Sequence, residues 1–209
     1  MPHNVAYMRR PILIACLLAS ALTLSYTSVR AGDVGFGGFH HVPGDVEANF
    51  LVNLFRFVAW PHAPTDTATI CFLRPSAVQA RLETGVAAGQ DWAQVPGRKV
   101  IVKMLTDAEL KALAGPENNI GCQILFLDAR TADQLWPALA SSRMPASLLT
   151  VSTQKDFAYR GGMIQFLWEG SDTYRILINQ VNVTRADVVI SGALGTLADR
   201  VDDARFHAH

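Results

Sequence analysis

Few side chains of this chain could carry chemistry, and the cysteines are the most informative of them. Cys16 lies in an N-terminal segment that we predict to be removed on export, which leaves two cysteines. Cys71 lies in the strand-like segment "ATICFL" and Cys122 in "GCQILFL". In an oxidising compartment two such cysteines most often pair, so we predict a disulfide between them. The alternative is two buried thiols that pack as small apolar groups. The sequence has no C-x-x-C pattern, which argues against a dithiol oxidoreductase.

The histidines are placed poorly for catalysis or metal binding. His3 lies in the N-terminal segment that we predict to be removed as a signal peptide. Of the other five, two lie in a Gly-rich segment, one follows a proline and two are near the C-terminus: His40, His41, His62, His207 and His209. A dedicated metal site needs three or four ligands that converge from rigid elements. We therefore predict no metal, no cofactor and no catalytic residue among them.

One glycine pair could belong to a phosphate-binding loop. The segment "YRGGMIQF" places Gly161 and Gly162 directly after Arg160. A phosphate-binding loop leads into a helix N-terminus, where backbone N–H groups point at the anion. Here the glycines lead into "MIQFLWE", which is a strand pattern. We predict instead that Gly161 and Gly162 form a structural turn with positive φ angles at the start of a hairpin.

Familiar catalytic motifs are absent from the sequence. It contains no G-x-x-x-x-G-K-[ST] and no G-x-S-x-G, and the "GFGG" at residues 35–38 has no strand before it. This absence shifts the interpretation from catalysis to recognition. We predict a binding protein and not an enzyme.

Helices and buried strands alternate through most of the chain. The helix expected at residues 46–59 has a wide apolar face and ends before Pro61. Near-continuous apolar runs, typical of strands buried on both faces, follow at residues 68–73, 98–105, 122–129 and 147–152. Two alternating segments, 162–169 and 173–179, predict a hairpin. The pattern predicts an α/β fold: a single domain with a mixed, parallel-rich sheet flanked by helices and a C-terminal β-hairpin.

Local signals predict where some of the helices begin and end. Thr106 and Thr131 each open a capping-box pattern, which is typical of the residue before a helix. Pro137 predicts a kink or an early stop in the second of these helices. A last amphipathic helix is predicted at residues 193–201, because its apolar residues share one stripe.

The beginning of the chain has the pattern of a secretory signal peptide. Arg9 and Arg10 precede a short apolar run, and small residues end at Ala31. The predicted organisation is a signal peptide at 1–31, a flexible arm at 32–46, one α/β domain at 47–201 and a flexible tail at 202–209. Removal of the signal leaves 15 basic and 18 acidic residues. This negative balance argues against a nucleic-acid partner.

Four segments carry a family resemblance through their order and spacing. They are "FLVNLFRFVAWP" (50–61), "CQILFLDAR" (122–130), "LLTVSTQKDFAYRGGMIQFLWEG" with "YRILIN" (148–179) and "VVISGALGTLAD" (188–199). Together they resemble the YfiR family of bacterial periplasmic proteins. Cys71 and Cys122 match that family's strand cysteines, which supports their pairing. Asp187 stands where the family usually has a glycine, so we expect the turn there to differ without a change of fold.

The resemblance implies a periplasmic repressor. Such a protein binds the periplasmic sensing domain of an inner-membrane diguanylate cyclase and holds it inactive, which lowers cyclic di-GMP and biofilm formation. The resemblance also implies a homodimer, and an outer-membrane protein that sequesters the repressor. An alternative is a periplasmic small-molecule sensor that feeds a membrane sensor kinase; tight binding of a metabolite in calorimetry would favour it.

Contact residues for a partner or ligand are expected near the hairpin. Arginine and aromatic side chains anchor much of the binding energy in protein interfaces. On that basis we predict Arg160, Trp168, Glu169 and Arg175 as contacts. The alternative is that they are ordinary surface and packing positions.

Overall fold

Two sheets organise the chain. The computed structural model describes residues 44–113, 120–142, 144–170 and 173–201. Its strands are β1 (Val58–Ala59), β2 (Thr67–Phe72), β3 (Lys99–Met104), β4 (Ile124–Leu127), β5 (Leu149–Ser152), β6 (Ile164–Gly170), β7 (Thr173–Asn179), β8 (Val189–Ile190) and β9 (Asp199–Val201). The seven-stranded sheet has the order β3-β2-β4-β5-β6-β7-β9, and β1 and β8 form a separate pair.

Strand directions confirm the predicted fold class. Every neighbouring pair from β3 to β6 is parallel, whereas β6 and β7 form an antiparallel hairpin. At the far edge β9 runs parallel to β7. The sheet is therefore mixed and parallel-rich, and the hairpin lies at its C-terminal side.

Helices connect and cover these strands. They are α1 (Asp45–Phe57), α2 (Ala77–Ala87), α3 (Asp107–Leu113), α4 (Ala129–Ala140), α5 (Gln180–Arg185) and α6 (Gly192–Leu197), with a short 3-10 helix at Asp91–Ala93. The first of them, α1, is capped by Gly44, whose backbone N–H donates to Glu47 Oε2 at 3.1 Å. It ends two residues earlier than predicted, because Val58 pairs with Ile190 in the β1–β8 ladder.

Hydrophobic cores lie on both faces of the large sheet. On one face Ile70 and Ile124 pack in a cluster that includes Leu51 and Leu54 of α1. On the other face Leu125 packs in a cluster with residues of α3 and α4. Since successive strand residues alternate between faces, burial of both faces requires the near-continuous apolar runs seen in the sequence.

Some local predictions were right and others were wrong. Thr106 precedes α3 as predicted, and its backbone N–H donates to Glu109 Oε2 at 2.9 Å. Thr131 is not a cap: α4 begins earlier, and Asp128 Oδ1 accepts the N–H of Thr131 at 2.8 Å. Pro137 lies inside α4 and does not stop it, because the helix continues to Ala140.

The predicted last helix was too long. Residues 193–201 were expected to be helical, but α6 ends at Leu197 and β9 follows. Val201 pairs with Asn179 of β7 and is buried. Strand pairing with β7 therefore overrides the helical periodicity of this segment.

Asp187 has a left-handed backbone conformation in the turn before β8. Its φ is 55°, in the left-handed region that glycine adopts most easily. Aspartate tolerates this region better than most residues. Asp187 therefore adopts a conformation that a glycine would adopt without strain.

Several predictions fall outside the described residues. The signal peptide at 1–31, most of the arm at 32–46 and the tail at 202–209 remain predictions. Within the residues that the structure describes, no helix is both long and apolar enough to cross a membrane.

Candidate partner-binding surface

The β6–β7 hairpin brings three of the four predicted contact residues together. Trp168 pairs across the strands with Tyr174, and Leu167 pairs with Arg175. A register shift follows between Trp168 and Gly170, close to the connecting turn. Trp168 is 52% exposed, which is unusual for a large apolar side chain. We call Trp168, Glu169, Tyr174 and Arg175 the hairpin surface, which includes side chains on both faces of the hairpin.

An aromatic stack supports this hairpin from the α1 side. The ring of Phe166 lies 4.1 Å from that of Phe50 on α1, with 6° between their planes. The ring of Tyr174 stacks on Phe166 at 4.6 Å and 5°. Trp168 lies opposite Tyr174 in the register and so on the same face of the sheet. The stack ties the orientation of the hairpin to the helix.

Ion pairs hold Arg175 on the opposite face of the hairpin. Its Nε donates to Asp199 Oδ2 at 2.8 Å, and its Nη1 donates to Glu169 Oε1 at 3.1 Å. The hydrogen bond to Asp199, together with the nearby Glu169 charge, raises the pKa of Arg175 above its ordinary value. The guanidinium is thus fixed between two carboxylates while half of the side chain stays exposed.

Arg160 does not join the hairpin surface. Its Nη1 lies 3.4 Å from Asp133 Oδ1 on α4, and its carbonyl oxygen accepts the indole N–H of Trp136 at 2.9 Å. Gln154 also donates to Asp133, at 3.0 Å. Arg160 is therefore part of a contact between the turn before β6 and α4.

The glycine pair before β6 forms a turn for two different reasons. Gly161 has a φ of 90°, the positive angle that we predicted. Gly162 has no positive φ, so the prediction for it was wrong. A Cβ on Gly162 would instead overlap the ring of Phe157, a fully buried side chain. The second glycine is thus required by a close contact and not by backbone conformation.

Two buried amide side chains hold the same turn, and sequence reasoning missed both. Gln165 Oε1 accepts the N–H of Ala158 at 3.0 Å. Asn179 Nδ2 donates to the carbonyl of Ala158 at 2.9 Å. Both amides are almost completely buried. The available signal was a polar residue inside each apolar strand run, since buried polar groups need hydrogen-bond partners.

Cys71 and Cys122 form a disulfide. Their Cα atoms are 5.9 Å apart, and the bridge joins positions separated by 51 residues. It ties β2 to the segment directly before β4. Beside it, Gln123 Oε1 accepts the N–H of Thr69 at 2.7 Å in a buried contact. The disulfide therefore supports the β2–β4 strand pair, which lies next to the edge strand β3.

Two observations concern the titratable side chains of the described residues. Among them no cluster of three or more His, Cys, Asp and Glu side chains could hold a metal ion. Glu109 has a pKa lowered to about 2, first by its hydrogen bond with Lys103 and then by those with Thr106. These partners place Glu109 in the capping box of α3, so the shift reflects a structural role.

The comparison with protein families shows to which family this chain is related. A family model described as YfiR/HmsC-like matches residues 44–199. The chain belongs to the YfiR/HmsC-like family. The matched range covers the whole sheet except the end of β9 and includes the hairpin surface. A search of curated proteins finds no match for the chain.

Family membership indicates the general role of the chain. The YfiR/HmsC-like family is regulatory and periplasmic, and it points to control of cyclic di-GMP signalling. The disulfide is consistent with an exported protein, since disulfides persist in oxidising compartments.

Proposed function

We propose that this chain is a periplasmic repressor of an inner-membrane diguanylate cyclase. The predicted signal peptide exports it, and it binds the periplasmic sensing domain of the cyclase. Binding favours the inactive arrangement of the enzyme because the repressor has higher affinity for that state. Cyclic di-GMP and biofilm formation then fall. Membership in the YfiR/HmsC-like family supports this role.

The hairpin surface is the proposed contact with the cyclase. The observation that carries this proposal is the half-exposed indole of Trp168 on one face of the hairpin, together with Arg175 on the other face, where two carboxylates hold it in place. Tryptophan, tyrosine and arginine are the side chains that most often anchor interfaces. Because the aromatic stack holds Tyr174 and the ion pairs hold Arg175, these two side chains lose little conformational entropy when a partner binds.

The proposal includes two further partners. The repressor acts as a homodimer, and an outer-membrane protein competes for it and releases the cyclase. The proposal includes no metal, cofactor or nucleic acid. The predicted excess of acidic residues after export supports the exclusion of nucleic acid.

A binding experiment tests the hairpin surface. The mature chain is titrated into the purified periplasmic domain of a candidate cyclase, and the affinity is compared for Trp168→Ala, Trp168→Phe and Val189→Ala. Val189 is 56% exposed on β8 and serves as a matched apolar control. We expect Trp168→Ala to weaken binding by about 2 kcal/mol or more, as for a typical hot spot. Trp168→Phe should retain part of the affinity and Val189→Ala nearly all of it.

Two results would contradict the proposed contact. The first is wild-type affinity for Trp168→Ala. The second is an equal loss for Val189→Ala, which would indicate a different face of the molecule. Thermal unfolding of each variant checks that the fold is intact before the affinities are compared.

A further inference from the structure

The two edges of the seven-stranded sheet differ in how they are protected. At one edge β9 has only three residues, and Asp199 and Arg200 are both exposed. At the other edge β3 has six residues, with the sequence KVIVKM and no proline. Natural proteins shield sheet edges by making them short or charged, or by covering them. By that criterion β9 is shielded by its length and its charges, whereas β3 is longer and has only the charges of Lys99 and Lys103.

Hydrogen bonds show which backbone groups of β3 face outward. The N–H of Lys99 donates to Asp66 and the N–H of Leu105 donates to Phe72, so alternate residues face β2. The backbone N–H and C=O groups of Val100, Val102 and Met104 consequently point away from the sheet. In the part of the chain that the structure describes, no hydrogen bond reaches these outward groups.

The two lysines of β3 leave the middle of this edge uncovered: Lys99 is the exposed first residue of the strand, and Lys103 is held by other groups. Lys103 Nζ donates to the carbonyl of Ile120 at 3.0 Å and lies 2.6 Å from Glu109 Oε1. Its charge is therefore engaged over the α3 face of the sheet. Ile101 shares that face, is partly exposed and belongs to neither core cluster. The middle of the edge remains an apolar strand with outward hydrogen-bonding groups.

We propose that the β3 edge pairs with β3 of a second copy of this chain. The two strands run antiparallel about a two-fold axis at Val102, so that one continuous sheet spans both copies. Val102 then faces Val102 of the other copy, and Val100 faces Met104. A two-fold interface of this kind is self-complementary, which a strand of this composition allows. This inference rests on one part of the proposed function, namely that the repressor acts as a homodimer.

The lysines select this register over its neighbour. Pairing about Val102 places Ile101 opposite Lys103, so that no two charges meet. A shift to an axis at Ile101 would place Lys99 directly opposite Lys103. Like charges in directly opposite positions destabilise a strand pair. The shift would also leave Met104 without an apolar partner.

The test measures the oligomeric state of the purified mature chain by sedimentation over a wide range of concentration. Val102→Pro removes the outward N–H of both copies at the axis, but it leaves the hydrogen bonds to β2 in place. Val102→Ala keeps that N–H and is the matched control. We expect the wild type to form dimers. The dimer dissociation constant of Val102→Pro should be roughly tenfold or more above that of Val102→Ala.

A second pair of variants keeps the test decisive if Val102→Pro unfolds. Ile101→Lys places an added charge opposite Lys103 of the other copy, whereas Ile101→Thr keeps a neutral, β-branched side chain. We expect Ile101→Lys to weaken the dimer and Ile101→Thr to have little effect, with similar thermal stability.

Three outcomes would overturn the inference. A wild type that stays monomeric excludes the pairing, as does a dimer that neither Val102→Pro nor Ile101→Lys weakens. If the β3 edge pairs only when the cyclase domain is added, this edge binds the cyclase and not a second copy of the chain. Because the oligomeric state is measured without the cyclase, failure of the repressor proposal would not affect this result.

Discussion

Replacing Gly162 by alanine tests how the turn before the hairpin is built. The added Cβ would overlap three atoms of the Phe157 ring. That ring is fully buried and packs against Trp136 at a centroid distance of 4.6 Å. Because a close-packed core yields little, we expect the unfolding free energy to fall by about 3 kcal/mol, the upper end of typical overpacking costs.

The neighbouring glycine provides a matched comparison. A Cβ on Gly161 would have its nearest contact at 3.6 Å, with Asn182 Nδ2, so there is space for it. The cost of Gly161→Ala comes instead from the φ of 90°. Left-handed backbone costs a residue with a Cβ about 1–2 kcal/mol. We therefore expect Gly161→Ala to be the milder of the two variants.

The assay is denaturant unfolding of both variants, alone and in a Phe157→Ala background. With the Phe157 ring removed, the overlap disappears, and Gly162→Ala should cost less than about 1 kcal/mol beyond Phe157→Ala itself. Gly161→Ala should cost the same in both backgrounds. Equal costs of Gly162→Ala with and without Phe157 would refute the steric explanation, as would a larger loss for Gly161→Ala.

Three other predictions address the capping box, the disulfide and the buried amide. The pKa of Glu109 is about 2 in the folded protein, against an ordinary value of 4.5. Its stabilising contribution is therefore complete above pH 4.5 and is lost as the pH falls towards 2. The difference in urea midpoint between wild type and Glu109→Gln should shrink over that range. A Cys71→Ser, Cys122→Ser double variant should lose about 4 kcal/mol of unfolding free energy, from the loop entropy of its 51-residue separation, whereas an unchanged midpoint would show that the bridge adds no stability. Asn179→Ala removes a fully buried amide that donates to Ala158, and calorimetric unfolding should show a loss of about 2 kcal/mol; a loss below about 0.5 kcal/mol would mean that the amide does not hold the turn.

The sequence predicted the regular elements well where burial dictates the pattern. The near-continuous apolar runs identified β2, β4 and β5, because both faces of those strands are buried, and also the partly buried edge strand β3. The hairpin was also predictable, since its two segments alternate and flank a turn. These strands and the hairpin follow from local hydrophobic patterns, and no distant contact changes their secondary structure.

The errors occurred where a tertiary or competing local contact decided the outcome. Asp128 comes directly after β4 and is the first residue there that can cap a helix, so it caps α4 in place of Thr131. Val201 fits a helical stripe in the sequence, but its pairing with Asn179 places it in β9. Neither competition can be judged without knowing which strands are neighbours.

The candidate site shows the same limit. Trp168 and Arg160 are close in sequence, yet the structure separates them. From Ile164 to Trp168 the strand β6 advances about 13 Å at its normal rise per residue, while Arg160 turns towards Asp133 before the strand begins. The stack of Phe50 on Phe166 joins segments more than a hundred residues apart, and no local pattern could predict it.

The most direct test of the central claim is the cyclic di-GMP output of the cyclase in cells that lack this chain, after complementation with chosen variants. Wild type and Val189→Ala should lower the output, and Trp168→Ala should leave it high although it is exported at the same level. If wild type co-purifies with the cyclase but does not change its cyclic di-GMP output, the chain is not a repressor.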